Sequence, residues 1–322
     1  MNDVCDSVVH AVSVSVALDV DPGIDDALAL LLAFRSPEIR PVLVTTVAGN
    51  GPLELTTRNA LRVLHYLGAA HIPVAAGASR PLEKPFHGAL GYHGPDALGA
   101  LDLPQGRTQV EPRGADDLLY DFAAAAPGER TLIATGPLTN VARAFQRHED
   151  MPSMLKELII MGGAFGLNQY GTGNQTPFAE FNVWQDPDAA FLVFRSGVPI
   201  TVMGLDVTND PSSALDAADL ALLRTGTSRE AALAAELLDY ALRGHPNCPM
   251  HDPLAVAVAL DRSLFEFVSG SVYVVTRDDE ERGRTLLQTL ELSAATHPVV
   301  QVASAVDGPR FKQLFLSRIR ES

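Results

Sequence analysis

A helix that is apolar on every side has to be buried on every side, and residues Asp25–Arg35 of this 322-residue chain encode one. After its acidic start come Ala27-Leu28-Ala29-Leu30-Leu31-Leu32-Ala33-Phe34, with no face to offer water. The run is far below the ~18 apolar residues of a membrane helix, so it needs protein on both sides. Just ahead of it, Val12–Leu18 alternates as Val12, Ser13, Val14, Ser15, Val16, the period of a strand. A strand that feeds directly into a buried helix is the opening unit of a layered α/β domain.

The same alternation continues. Strands are predicted at Pro41–Val47, Ile72–Ala75, Thr131–Ala134, Leu158–Met161 and Ile200–Met203. Helices fall at Leu53–Leu67, Ala115–Ala125, Leu138–Gln146 and Pro187–Arg195. This predicts an α/β fold with a mostly parallel central sheet and helices on both faces. Beyond Asp206 extra helices follow (Ala214–Thr225, Arg229–Arg243, Pro253–Leu260). Strands near Ser271–Thr276 and Leu286–Leu292 and a last helix from Pro309 complete the pattern. No repeat or linker divides the chain, so residues 1–322 are read as a single domain. Two Gly- and Pro-rich stretches, Gly77–Gly106 and Gly162–Pro177, are long for a compact domain, and loops of that length usually carry function.

Charge narrows the partners. Lys+Arg number 24 against 39 Asp+Glu, a net charge of −15, which lacks the basic footprint that a phosphate backbone or an anionic membrane requires. Neither nucleic acid nor membrane is expected as a partner. Cys5 and Cys248 form no CxxC pair and no disulfide framework. The apolar stretch Val8–Leu18 is preceded by Asp3 and Asp6, and the first basic residue is Arg35, so it is not a secretory leader; the expected location is cytoplasmic.

The chemistry concentrates in Asp19-Val20-Asp21-Pro22-Gly23-Ile24-Asp25-Asp26. Strand periodicity puts Asp19 and Asp21 on one side of the strand end, and Pro22-Gly23 turns the chain so that Asp25 and Asp26 face back. Helix capping explains one or two of these residues. It does not explain four carboxylates converging at a sheet edge, where mutual repulsion calls for a cation. A hard, oxygen-liganded ion, Ca²⁺ or Mg²⁺, answers that need.

Asp19–Ala33, read as DVDPGIDDALALLLA, resembles the N-terminal signature of the inosine-uridine preferring nucleoside hydrolases. Val47-Ala48-Gly49-Asn50, Thr135-Gly136-Pro137-Leu138-Thr139-Asn140, Met161-Gly162-Gly163, Asn174, Glu180-Phe181-Asn182 and His251-Asp252-Pro253 follow in the family's order. The likeness runs from Asp19 to about Leu260. It implies a nucleoside hydrolase-like, Rossmann-like open sheet and hydrolysis of the N-glycosidic bond of a ribonucleoside in salvage. It also implies one Ca²⁺ per chain, held by Asp21, Asp26, Asp252 and the Thr135 carbonyl. Asp21 would take the proton of the attacking water, and Asp19 would support the cluster by hydrogen bonding or, equally, cap a neighbouring loop. Asp25, Asn50, Met161, Asn174, Glu180, Asn182 and Asp252 would bind the ribose, with Glu180 and Asn182 facing it from one extended segment. A homodimer or homotetramer is implied as well.

His251 and His93 match histidines that the family places near the base, and either ring is suited to assist its departure. Near the base the chain departs from the family pattern. Gly94-Pro95-Asp96-Ala97-Leu98-Gly99 is looser than the usual motif, and between Asp239 and Met250 the sole aromatic is Tyr240. Base preference is therefore left open, as is a relative acting on a modified nucleoside. A non-catalytic Ca²⁺/ribose-binding protein would not need Asp21, and a phosphohydrolase would need a phosphate-cradling loop that the chain lacks.

Overall fold

The computed structural model describes residues 13–106, 109–289 and 298–321. Cys5, Val12 and the end of the strand expected up to Leu292 lie outside them. Among the described residues nine strands form one sheet: β1 Val14–Val20, β2 Ile39–Thr46, β3 Val74–Ala76, β4 Arg130–Ala134, β5 Leu155–Met161, β6 Ile200–Met203, β7 Phe265–Val274, β8 Thr285–Thr289 and β9 Val300–Val306. Their order is β3-β2-β1-β4-β5-β6-β9-β7-β8. Pairing is parallel from β3 through β9 and antiparallel only for β9–β7 and β7–β8.

Strand alternation sorts the core into two layers. Val16, Leu18 and Val20 of β1 pack with the helices Ile24–Phe34, Leu53–Tyr66, Arg229–Ala241, His251–Leu260 and Gly308–Arg320. Ala17, between them, faces the helices Ala115–Ala124, Thr139–Arg147 and Pro187–Phe194. The apolar helix Ile24–Phe34 is buried from Asp26 to Ala33, as its composition requires. Among the described residues no helix is long and apolar enough to cross a membrane.

β9 is absent from the sequence reading, although Val300-Gln301-Val302-Ala303 alternates. It is the strand through which the antiparallel pair β7–β8 joins the parallel sheet. Short helical turns at Leu90–His93, Phe181–Gln185 and Leu205–Thr208 also went unread, because single turns carry no periodicity of their own.

Candidate active site

Strand order reverses between β1 and β4, and in open α/β sheets the crevice at such a reversal, beyond the strands' carboxyl ends, is where ligands bind. Asp21 lies just past β1 and Thr135 just past β4, whose chain is tied back by the Thr135 N–H to the Asp19 carbonyl at 2.9 Å. Asp21 fits there because two neighbours have no side chain. A Cβ on Gly49 would stand 2.1 Å from its Oδ2, and one on Gly136 would stand 2.6 Å from its Oδ1. The Asn50 N–H donates to Oδ2 at 2.7 Å, whereas Oδ1 is buried with no hydrogen-bond partner.

Asp26 is both cap and cluster member. Its carboxylate accepts from the N–H groups of Gly23 (3.0 Å) and Asp21 (3.2 Å), from the Thr135 hydroxyl (2.9 Å) and from Asn50 Nδ2 (3.3 Å). Oxygens of Asp25, Asp26 and Asp252 lie within 4.8 Å of one another, and Asp25 Oδ1 is a second buried oxygen without a partner. Asp25, expected on the ribose, thus sits in the tightest acidic group, while Asp21 lies beneath it, drawn toward Asn50. Burial pushes the Asp26 carboxyl up to about 6, and Asp21 and Asp252 rise well above the usual carboxylate range, with neighbouring carboxylates adding to the rise. Hard oxygen donors, two of them orphaned, in a site that penalises its own negative charge fit a divalent cation.

Asp19 is fully buried and does not line the pocket. Its Oδ1 accepts from the Thr45 hydroxyl and from Asn140 Nδ2 at 2.8 Å, and Asn140 Oδ1 in turn accepts from the Ala78 N–H. It therefore braces the strand end and, through Asn140, the start of the first long loop.

Above this floor is a cavity of about 370 Å³ lined by Asp25, Asn50, His93, Thr135, Met161, Asn174, Glu180, Asn182, His251 and Asp252. Asp21 and Asp26, each at most 1% exposed, lie under it. The extended segment expected for Glu180 and Asn182 is instead a helix start. Glu180 caps Phe181–Gln185, accepting from the N–H groups of Asn182 and Val183, and its Oε2 also holds the Gly163 N–H. A carboxylate at that position satisfies orphan N–H groups of the helix start. Asn182 Nδ2 donates to the Thr135 carbonyl at 2.7 Å and to the Met161 carbonyl at 3.3 Å, linking the ends of β4 and β5. Asn174 Oδ1 accepts from the Phe181 N–H at 2.9 Å.

The base side is built from loops. His93 Nδ1 accepts from the Ile24 N–H at 3.1 Å, so the proton of the neutral ring is on Nε2, and burial lowers its pKa to about 4. His251 begins the helix His251–Leu260; its Nδ1 is 2.8 Å from the Thr208 hydroxyl, and burial lowers its pKa too. Tyr240 is not at the pocket but under Gly94 and Gly99, where added Cβ atoms would come within 2.8 Å of it. Tyr92 lines the cavity instead, edge-on to His93 at 5.0 Å. Gln175, Phe181 and Asn209 line it as well and were not foreseen. Tyr92 had a legible signal, an aromatic beside a histidine in a long loop; Asn209 had none. The His87 ring lies tilted against Trp184, with centroids 5.1 Å apart, away from the pocket.

Comparison with known proteins agrees with this geometry. The inosine-uridine preferring nucleoside hydrolase family matches residues 16–313, well past the Leu260 limit of the visible likeness. A pyrimidine-specific ribonucleoside hydrolase RihA from Shewanella sp. (strain ANA-3) is 38% identical over 285 residues, covering 86% of this chain and 87% of that protein. Among solved structures, the plant nucleoside hydrolase PpNRh1 superposes with a TM-score of 0.89 at 31% identity, covering 95% of this chain and 99% of its own. The purine-preferring ribonucleoside hydrolase from Gardnerella vaginalis does so at 0.88 and 32%, covering 95% and 98%. With nearly its whole length matched and Asp25, Asp252, amides and histidines gathered in one pocket, this chain belongs to the inosine-uridine preferring nucleoside hydrolase family.

Proposed function

We propose that this ribonucleoside hydrolase cleaves the N-glycosidic bond of pyrimidine ribonucleosides in salvage, giving ribose and the free base, with one Ca²⁺ held by Asp21, Asp26, Asp252 and the Thr135 carbonyl beside Asp25. The observation that carries this reading is the convergence of Asp25, Asp26 and Asp252 at the closed end of a pocket walled by amides and histidines. When bound, the ion supplies positive charge that makes a neighbouring water more acidic and attracts vicinal hydroxyls.

The chain's own groups divide the remaining work. Asp21, whose Oδ1 is unpartnered and whose pKa burial has raised, accepts the proton of the attacking water. The carboxylates around it stabilise the positive charge that develops at C1′ as the bond to the base breaks. Asp25, Asp252, Asn50 and Asn182 hold the ribose hydroxyls, while Asn174, Glu180 and Met161 enclose the sugar. His251 and His93 stand on the base side and donate hydrogen bonds to the departing ring.

Pyrimidine preference is supported by the RihA relative, whose likeness covers most of the chain. A purine-preferring reading has its own support in the Gardnerella vaginalis enzyme, which has nearly the same fold. Incubation with uridine, cytidine, inosine and adenosine, scored for free base, separates them. Faster release from uridine and cytidine is expected; faster release from inosine moves the chain to the purine class, and no release from any of the four ends the hydrolase reading. A homodimer or homotetramer, proposed from the family, is checked by light scattering on the same preparation.

A further inference from the structure

We propose that Thr208 is a positioning residue for this reaction, its hydroxyl holding His251 in the tautomer that turns Nε2–H toward the pocket. The inference rests on the reading that His251 serves the leaving base. Thr208 is fully buried at the end of the turn Leu205–Thr208, and its Oγ1 lies 2.8 Å from His251 Nδ1. Among the described residues, this is the only hydrogen bond that its side chain makes. A buried hydroxyl proton needs an acceptor, and Nδ1 is the one within reach. Thr208 therefore donates, Nδ1 accepts, and the proton of the neutral ring is left on Nε2. The opposite arrangement, Nδ1–H donating to Oγ1, would leave the hydroxyl proton buried and unpaired.

His93 provides an independent parallel. Its Nδ1 accepts from the Ile24 N–H, so both imidazoles lining the pocket are held through Nδ1. The Thr208 turn is itself anchored. The Leu205 N–H donates to the Gly163 carbonyl at 2.9 Å, and the Asp206 carboxylate accepts from the N–H groups of Phe165 and Leu167. As the glycosidic electron pair moves onto the base, a correctly oriented Nε2–H stabilises it by a hydrogen bond; a ring in the other tautomer presents a lone pair and repels it.

The test joins a spectrum to kinetics. Long-range ¹H–¹⁵N correlation of histidine-labelled protein is expected to show His251 protonated on Nε2 in the wild type and in Thr208→Ser. In Thr208→Val, which keeps the volume but loses the donor, a mixture of tautomers is expected. That variant is further expected to lose about tenfold or more in kcat on uridine with KM little changed, to lose much less on p-nitrophenyl riboside, whose leaving group needs no hydrogen bond, and to be rescued by serine. An Nδ1–H signal in the wild type overturns the proposal whether or not the valine variant folds. So do equal losses by Thr208→Val on the two substrates. If Thr208→Val changes the tautomer but His251→Ala loses equally on both substrates, the assignment of His251 to the leaving base fails, and the proposal falls with it.

Discussion

At the floor of the pocket Asp19, Asp21 and Asp26 are at most 1% exposed, and their partners come from strand ends and the tight turns that follow them. At its mouth Tyr92 is 45% exposed and, like Asn174 and Gln175, belongs to a long loop. On the proposed reading the floor serves what every ribonucleoside has in common, the sugar and the attacking water, and it is built from strand ends and the tight turns after them. On the same reading the mouth meets what differs, the base, and it does so on loops, where backbone tolerates change. Damage to the floor should therefore be blind to the base, and damage to the mouth should depend on it.

The strongest way to break this division is to remove the proposed ion. EDTA or EGTA is expected to abolish activity on every nucleoside and Ca²⁺ to restore it; full activity in a demonstrably metal-free preparation would remove the floor's assigned role. Next in size is sugar selectivity. A pocket built for ribose hydroxyls leaves buried polar groups unpaired when one is missing, so 2′-deoxyuridine is expected to be cleaved slower than uridine by ~10⁴ or more. Comparable rates on the two would contradict the ribose assignment.

Asp21→Asn keeps the size but loses the base, and a drop of ~10²–10⁴ in kcat is expected on purine and pyrimidine substrates alike. A drop confined to one base class would show that floor and mouth are not separate. His251→Ala tests the other side. Its loss should be large on uridine and small on p-nitrophenyl riboside, and kcat/KM measured on both decides whether the ring serves the base or merely steadies Asp252.

The smallest effect concerns stability. Asn140 joins the floor to the first long loop, donating to Asp19 Oδ1 and the Thr46 carbonyl and accepting from the Ala78 N–H. Asn140→Ala strands buried polar groups and should cost about 1–3 kcal/mol in denaturant unfolding. An unchanged midpoint would mean that the loop does not depend on the floor for its anchorage.

Much of the floor was legible in the chain itself, because its determinants are local. Alternating valines, a Pro-Gly turn and an apolar helix start place Asp19, Asp21, Asp25 and Asp26 within one strand–turn–helix unit, whatever the rest of the molecule does. The mouth was less legible. Tyr240, in the segment expected to face the base, packs beneath Gly94 and Gly99, and Tyr92 takes the cavity. Glu180 and Asn182, two apart, suit a strand equally well, and the helix forms because the Glu180 carboxylate satisfies the N–H groups at its start.

The sequence by itself determined the α/β layering and the local gathering of acidic residues that suits a cation, since hydrophobic period and like-charge repulsion act over a few residues. Only the tertiary structure decided which oxygens meet. Asp25 rather than Asp21 joins Asp26 and Asp252, which lies 226 residues on from Asp26 by numbering, and Thr208 reaches His251 across 43 residues. Such meetings depend on where strand order reverses and on which helix packs over the crevice, and long-range packing leaves no period in the chain to be read.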